Sequence, residues 1–206
     1  MFTREERTRG RGILPLVKGF VWFTDGPRME ESGAVVYGQS LGRRLIIFLG
    51  RYATVLQAEI YAILACAYEI QVYGRPEKCV SICSDSQAAL KALQAVRTTS
   101  PLVQQCQKVL NDISTRHTAG LFWIPGHAGV RGNEIADKLA KDGSVQKFIG
   151  PEPSLGDSRQ NTRRKIRRWL DKQHWARWRG LGSTQRQDRE LISGPSSTAL
   201  DVVVGG

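Results

Sequence analysis

Three short runs rich in β-branched and aromatic residues follow one another between Phe20 and Gly50, and every later run of that kind is reached through a helical stretch. This order limits the fold more than any other feature. Strands joined by tight turns pair antiparallel, whereas strands joined through a helix cross over and pair in parallel. FVWFT, GAVVYG and RRLIIFLG read as strands, with QSLG as a hairpin connection and Gly42 in its turn. TVLQAEIYAILACAYEIQVYG reads as a helix, because Leu56, Ile60, Ile63, Leu64 and Ala67 recur at helical spacing. Gly74 and Pro76 close it. KCVSIC is a strand, and SDSQAALKALQAV a helix capped by Ser84, Asp85 or Ser86. SPLVQQCQKVLNDIS is a helix opened by Ser100 with Pro101 at its first position. GLFWIPGH is a strand running into a turn, and GNEIADKLAKDGS a helix ending at Gly143. The order β-β-β-α-β-α-α-β-α predicts an α/β fold. Its five-stranded mixed sheet, three antiparallel strands and then two parallel ones, is flanked by helices.

Acids stand at marked places in this order. Asp25 ends the first strand, and Asp85 directly follows the fourth. Glu59 shares the apolar face of its helix, where an unpaired carboxylate is costly to bury. Asp137 lies at the margin of the Ile135, Ala136, Leu139, Ala140 stripe. Each has an ordinary reading: a loop acid, a helix cap, a snorkelling or salt-bridged glutamate, a helix-face charge. Together they have another. Strand ends and the helix faces above them can converge, and clustered carboxylates repel unless cations neutralise them. Hard oxygen ligands without a His or Cys cluster favour Mg²⁺ or Mn²⁺ over zinc. Two such ions about 4 Å apart are a common device for phosphodiester chemistry.

The chain's 206 residues suffice for one domain with a core plus tails. No unbroken apolar run approaches about 18 residues, so no membrane span is expected. ILPLV near the start is too short for a signal-peptide core, and Glu5 and Glu6 count against a transit peptide, so an intracellular protein of nucleus or cytoplasm is expected. Cys66, Cys79, Cys83 and Cys106 form no C-x-x-C pair and read as reduced thiols. The net charge is +11, and residues 159–179 supply much of it, with nine Arg or Lys against Asp171 alone. A basic appendage on a nearly neutral domain suggests a polyanionic partner, most simply nucleic acid.

FTDG, QAEIYAIL, SDSQAAL and WIPGHAGVRGNEIADKLAK resemble, in order and spacing, the type 1 ribonuclease H domain, with wording closest to those of non-LTR retrotransposon polyproteins. The resemblance covers about residues 19–145. It implies a ribonuclease H-like fold and endonucleolytic cleavage of the RNA strand of an RNA–DNA hybrid with two Mg²⁺, for which Mn²⁺ can substitute. The products would carry 5′-phosphate and 3′-hydroxyl ends. It makes Asp25, Glu59, Asp85 and Asp137 metal ligands, with Asp25 bridging both ions. One ion would polarise the attacking water and the other would stabilise the leaving 3′-oxygen. His127 matches a loop histidine that assists proton transfer or product release. Gly26, Thr54, Ser86, Gln87 and Asn133 match substrate-side positions: backbone approach to RNA, a DNA-strand phosphate, the minor groove, and a substrate- or metal-side group shared with Glu134. Asn133 reads equally as the cap of the last helix. Pro27 and Val55 depart from the small polar and polar residues often found there, which bears on substrate affinity rather than on the metals.

The expected organisation is a basic lead-in at 1–18, a ribonuclease H domain at 19–147, and a linker with basic helix and tail at 148–206. Pro151, Pro153 and Gly156 mark the linker. In RRKIRRWLDKQHWARWRG, Trp169, Trp175 and Trp178 stand among arginines. They could stack on bases while Arg holds phosphates, or Ile166, Trp169 and Leu170 could pack on a neighbour. The resemblance runs on into this region, which suggests a fragment or derived copy of a polyprotein. A second possibility is a non-catalytic hybrid- or double-stranded-RNA-binding module of the same fold. Four intact acids argue against it, since a binding module has no evident need for clustered negative charge beside phosphates.

Overall fold

A computed structural model describes residues 19–26, 32–50, 52–73, 79–143, 153, 155–156 and 158–180. The lead-in, Pro27, Gly74, Pro76, Pro151 and the tail beyond Gly180 lie outside the described residues. The elements are β1 (Phe20–Asp25), β2 (Ser32–Gly38), β3 (Arg43–Gly50), α1 (Val55–Tyr73), β4 (Cys79–Ser84), α2 (Gln87–Gln94), α3 (Pro101–Ser114), β5 (Thr118–Trp123), α4 (Arg131–Gly143) and α5 (Arg159–Gly180). The sheet order is β3-β2-β1-β4-β5. β1 with β2 and β2 with β3 are antiparallel, and β1 with β4 and β4 with β5 are parallel, as the order of runs predicts. This is the ribonuclease H-like arrangement.

Alternation along the strands divides the core. Trp22, Val36, Val80 and Ile82 face the layer built by α1, α2 and α3. Phe23, Val35 and Cys83 face α4 through Ala136 and Ala140. Small residues let the layers approach. Ala58 and Ala62 seat α1 on Ala34 and Leu49. A Cβ at Gly132 would stand 2.0 Å from the Phe23 ring, so only glycine lets α4 sit on β1 at that point.

α1 is buried around most of its girth, which explains its apolar composition. By length and hydropathy it is also the one described helix that could cross a membrane, yet most of it lies inside the domain. One sequence expectation fails here. Ile60, Ile63, Leu64 and Ala67 are buried, but Leu56 is 42% exposed. The first turn carries Val55 and Leu56 outward and only the turns after it enter the core.

Thr54 and Gln57 start α1 with a capping box. The Gln57 N–H donates to Thr54 Oγ1 at 3.2 Å, and the Thr54 N–H donates to Gln57 Oε1 at 3.0 Å. Gln57 Nε2 also donates to the carbonyls of Leu155 (3.4 Å) and Gly156 (3.1 Å). Leu155, in the stretch expected as linker, packs against the cluster of Ala34, Leu49, Ala58 and Ala62, and the compact unit holding the sheet runs to Gly156.

The second unit contains α5. Ser158 caps it, accepting from the Asn161 N–H at 3.1 Å. Ile166, Trp169 and Trp175 are exposed, and the Arg179 guanidinium lies 6.0 Å from the Trp175 ring centroid.

Candidate active site

Register explains how two acids distant in sequence meet. β1 and β4 run parallel, with Phe20 opposite Val80 and Thr24 opposite Ser84. The next residue in each case is an acid, Asp25 at the end of β1 and Asp85 just beyond β4. Adjacent strands lie about 4.8 Å apart, so the pairing delivers two carboxylates side by side. Thr24 ties the strands at this end, its hydroxyl donating to the Cys83 carbonyl at 3.3 Å.

Gly26 brings in the third acid. A Cβ there would stand 2.6 Å from the Glu59 nitrogen and 3.0 Å from Glu59 Cγ. The end of β1 therefore abuts the α1 backbone at Glu59, whose side chain is buried. Gly26, expected for approach to RNA, thus has a packing reason of its own. One carboxylate oxygen each from Asp25, Glu59 and Asp85 lie within 4.8 Å of one another.

The electrostatics show the strain of this cluster. Burial first, then the charges of Asp85 and Asp137, raise the Asp25 carboxyl from 3.8 to about 6. The Gly26 backbone N–H and the Lys141 ammonium pull the other way. The donor set is all carboxylate and crowded on one point, which fits a hard divalent cation.

Asp137 stands beside this trio rather than within it. Lys141, one turn further along α4, donates to Asp137 Oδ2 at 2.6 Å, and that contact raises the lysine's own pKa. His127 Nδ1 lies 4.0 Å from the same oxygen. The His127 side chain is 81% exposed, and its backbone holds a φ of 54°, unusual for a residue with a Cβ. Gly129 takes φ 74° two residues on.

The remaining expected residues fall as follows. Ser86 is the N-cap of α2, accepting from the Ala89 N–H at 3.3 Å, which settles the cap among the three candidates. Gln87 is exposed at the first position of that helix. Thr54 is half-buried in its capping box, and Val55 is exposed. Asn133 is not the cap of α4. The helix begins at Arg131, the Glu134 N–H bonds the Val130 carbonyl, and Asn133 is buried within the first turn.

Sequence reading missed two groups. Lys141 was legible as an i,i+4 partner of Asp137. Trp123 was not, because its indole meets the Asp85 carbonyl only through the β4–β5 register. The cysteines are free, and burial pushes Cys83 and Cys106 to about 12 and Cys66 well above its ordinary value, so these three are inert packing groups.

Asp25 and Asp85 at the strand ends and Glu59 on α1 thus bring three carboxylates together at one edge of a mixed sheet. A family model for RNase H matches residues 17–145, more than half of the chain, and the chain belongs to the RNase H family. That places it among nucleic-acid-binding hydrolases, a family served by divalent metals.

Proposed function

We propose that the protein is an endonuclease that hydrolyses the RNA strand of RNA–DNA hybrids by two-metal-ion catalysis. The observation that carries this reading is the meeting of Asp25, Glu59 and Asp85 within 4.8 Å at the ends of two parallel strands. Asp25, Glu59, Asp85 and Asp137 would hold the ions, the first three as the preformed cluster. Bound there, Mg²⁺, or Mn²⁺ in its place, supplies an activated water and neutralises charge at the phosphate. Asp137, which accepts from Lys141, would have to give up that contact to hold a metal. His127, exposed beside Asp137, moves the proton of the leaving group.

Substrate contacts surround the acids. Ser86 and Gln87 serve the minor groove, where the 2′-hydroxyl marks RNA, and Asn133 is a substrate- or metal-side group. Gly26 admits the RNA backbone, and the Thr54 hydroxyl takes a DNA-strand phosphate while capping α1. α5 adds Arg and Trp to grip nucleic acid beyond the domain. The wording of the four sequence blocks supports an origin in a non-LTR retrotransposon polyprotein.

A substrate panel tests the proposal. Labelled RNA–DNA hybrid, double-stranded RNA and double-stranded DNA are incubated with the protein and Mg²⁺, beside Asp85→Asn. Cutting of the hybrid's RNA alone, lost in the variant and on chelation, is expected. Tight hybrid binding with no cleavage under Mg²⁺ or Mn²⁺ would instead make the protein a binding module.

A further inference from the structure

We infer that Trp123 is a positioning residue that sets the direction of the Asp85 carboxylate toward the metal site. This rests on the metal-binding reading of the site.

Asp85 is the first residue beyond β4, where the sheet no longer fixes the backbone. Its carbonyl accepts two donors, the Gln87 N–H at 3.1 Å and the Trp123 indole Nε1–H at 3.1 Å. The first bond is local to the turn. The second comes from the neighbouring strand, 38 residues away in sequence. Trp123 can reach it because it ends β5 opposite Ser84, and the Ile124 N–H then bonds the Ser84 carbonyl at 3.1 Å. The indole thus ties the Asp85 peptide to the last rung of the sheet.

The same strand end limits the carboxylate itself. A Cβ at Gly126 would stand 2.9 Å from Asp85 Oδ2, so the loop after β5 presses close to that oxygen. One side of Asp85 is bounded by Gly126, and its backbone is anchored by Trp123. A carboxylate held in place needs no reordering when a cation binds, and lost order appears directly as lost affinity.

Core packing does not account for Trp123. It is 45% exposed, whereas Ile82 and Val80 of the adjoining β4 are buried. An exposed tryptophan kept for its N–H donor has a distinct signature. Trp123→Phe keeps the ring and removes only the donor, leaving the Ile124–Ser84 bond and the Ser86 cap in place.

The test uses the full chain. Calorimetric titration with Mn²⁺ should show Trp123→Phe binding about fivefold more weakly than wild type, the worth of one ordinary hydrogen bond. On a labelled hybrid, kcat should fall by a similar factor with KM unchanged. In wild type, the Trp123 indole N–H resonance, identified by its loss in the variant, should shift as Mg²⁺ is added. That shift should vanish in Asp85→Asn. Equal Mn²⁺ affinity in wild type and Trp123→Phe, or an indole resonance that ignores Mg²⁺, overturns the inference. Should the variant not fold, the same resonance, assigned in wild type through its sequential backbone connectivities, decides alone. Wild type that binds no Mn²⁺ overturns the proposed function, and the inference with it.

Discussion

Asp25→Asn should stabilise the metal-free protein while abolishing its activity. Asp25 carries a carboxyl raised from 3.8 to about 6, chiefly by burial and then by Asp85 and Asp137. A raised carboxyl means that ionisation opposes folding. Between about pH 4 and pH 6 the native state holds a proton that the unfolded chain has released, so stability falls as pH rises through this window. A shift of about two units corresponds to roughly 3 kcal/mol, fully lost above about pH 7. Asparagine keeps the shape and removes the charge. In EDTA at about pH 8 the variant should therefore exceed wild type by up to roughly 3 kcal/mol, or about 6–12 °C in Tm for a chain of this size. The gap should shrink steadily below about pH 6 and close below about pH 3, where the wild-type carboxyl is protonated in both states. Saturating Mg²⁺ should narrow it from the other side, because ligand binding to the native state stabilises wild type. Urea melts of both proteins across this pH range provide the assay. A variant no more stable than wild type at about pH 8, or a gap that ignores pH, would refute the electrostatic account of the site.

Other perturbations separate packing from charge. Lys141→Met removes the ammonium at 2.6 Å from Asp137 and should tighten Mn²⁺ binding by about threefold, measured by calorimetry, since an exposed pair is worth little. Gly132→Ala places a methyl against the buried Phe23 ring and should cost about 1–3 kcal/mol in urea melts. Gln57→Ala breaks the capping box and its bonds to the 155–156 carbonyls, and should cost about 1 kcal/mol by the same assay. Replacing Arg163, Arg164, Arg167 and Arg168 with Gln should flatten the salt dependence of hybrid binding by about 0.7–0.9 log units per lost phosphate contact. An unchanged slope would leave α5 without a role in gripping phosphate.

The strands were legible because runs rich in β-branched and aromatic residues are bounded by turn residues. RRLIIFLG is β3 to the residue. The acids were legible from their joint placement at element ends, with Glu59 on an apolar face the least ordinary of them. Their meeting was not, since it depends on Thr24 lying opposite Ser84, and no local pattern states a register. Local patterns also misled. Leu56 fits the helical stripe yet protrudes, because the first turn of α1 points away from the core. Asn133 suits a cap, but the helix starts earlier at Arg131, and tertiary packing takes the side chain inside. The Trp123 contact needs two strands and a turn at once, which places it beyond sequence reading.

The chemistry of the cut ends tests the central claim most directly. RNA fragments released from a hybrid in Mg²⁺ can be weighed by mass spectrometry, with Asp85→Asn treated alongside. Carboxylates that hold cations for a water attack leave 5′-phosphate and 3′-hydroxyl ends, and the variant should release none. Fragments ending in a 2′,3′-cyclic phosphate or a 3′-phosphate would mean attack by the ribose hydroxyl, and would contradict the role assigned to Asp25, Glu59, Asp85 and Asp137.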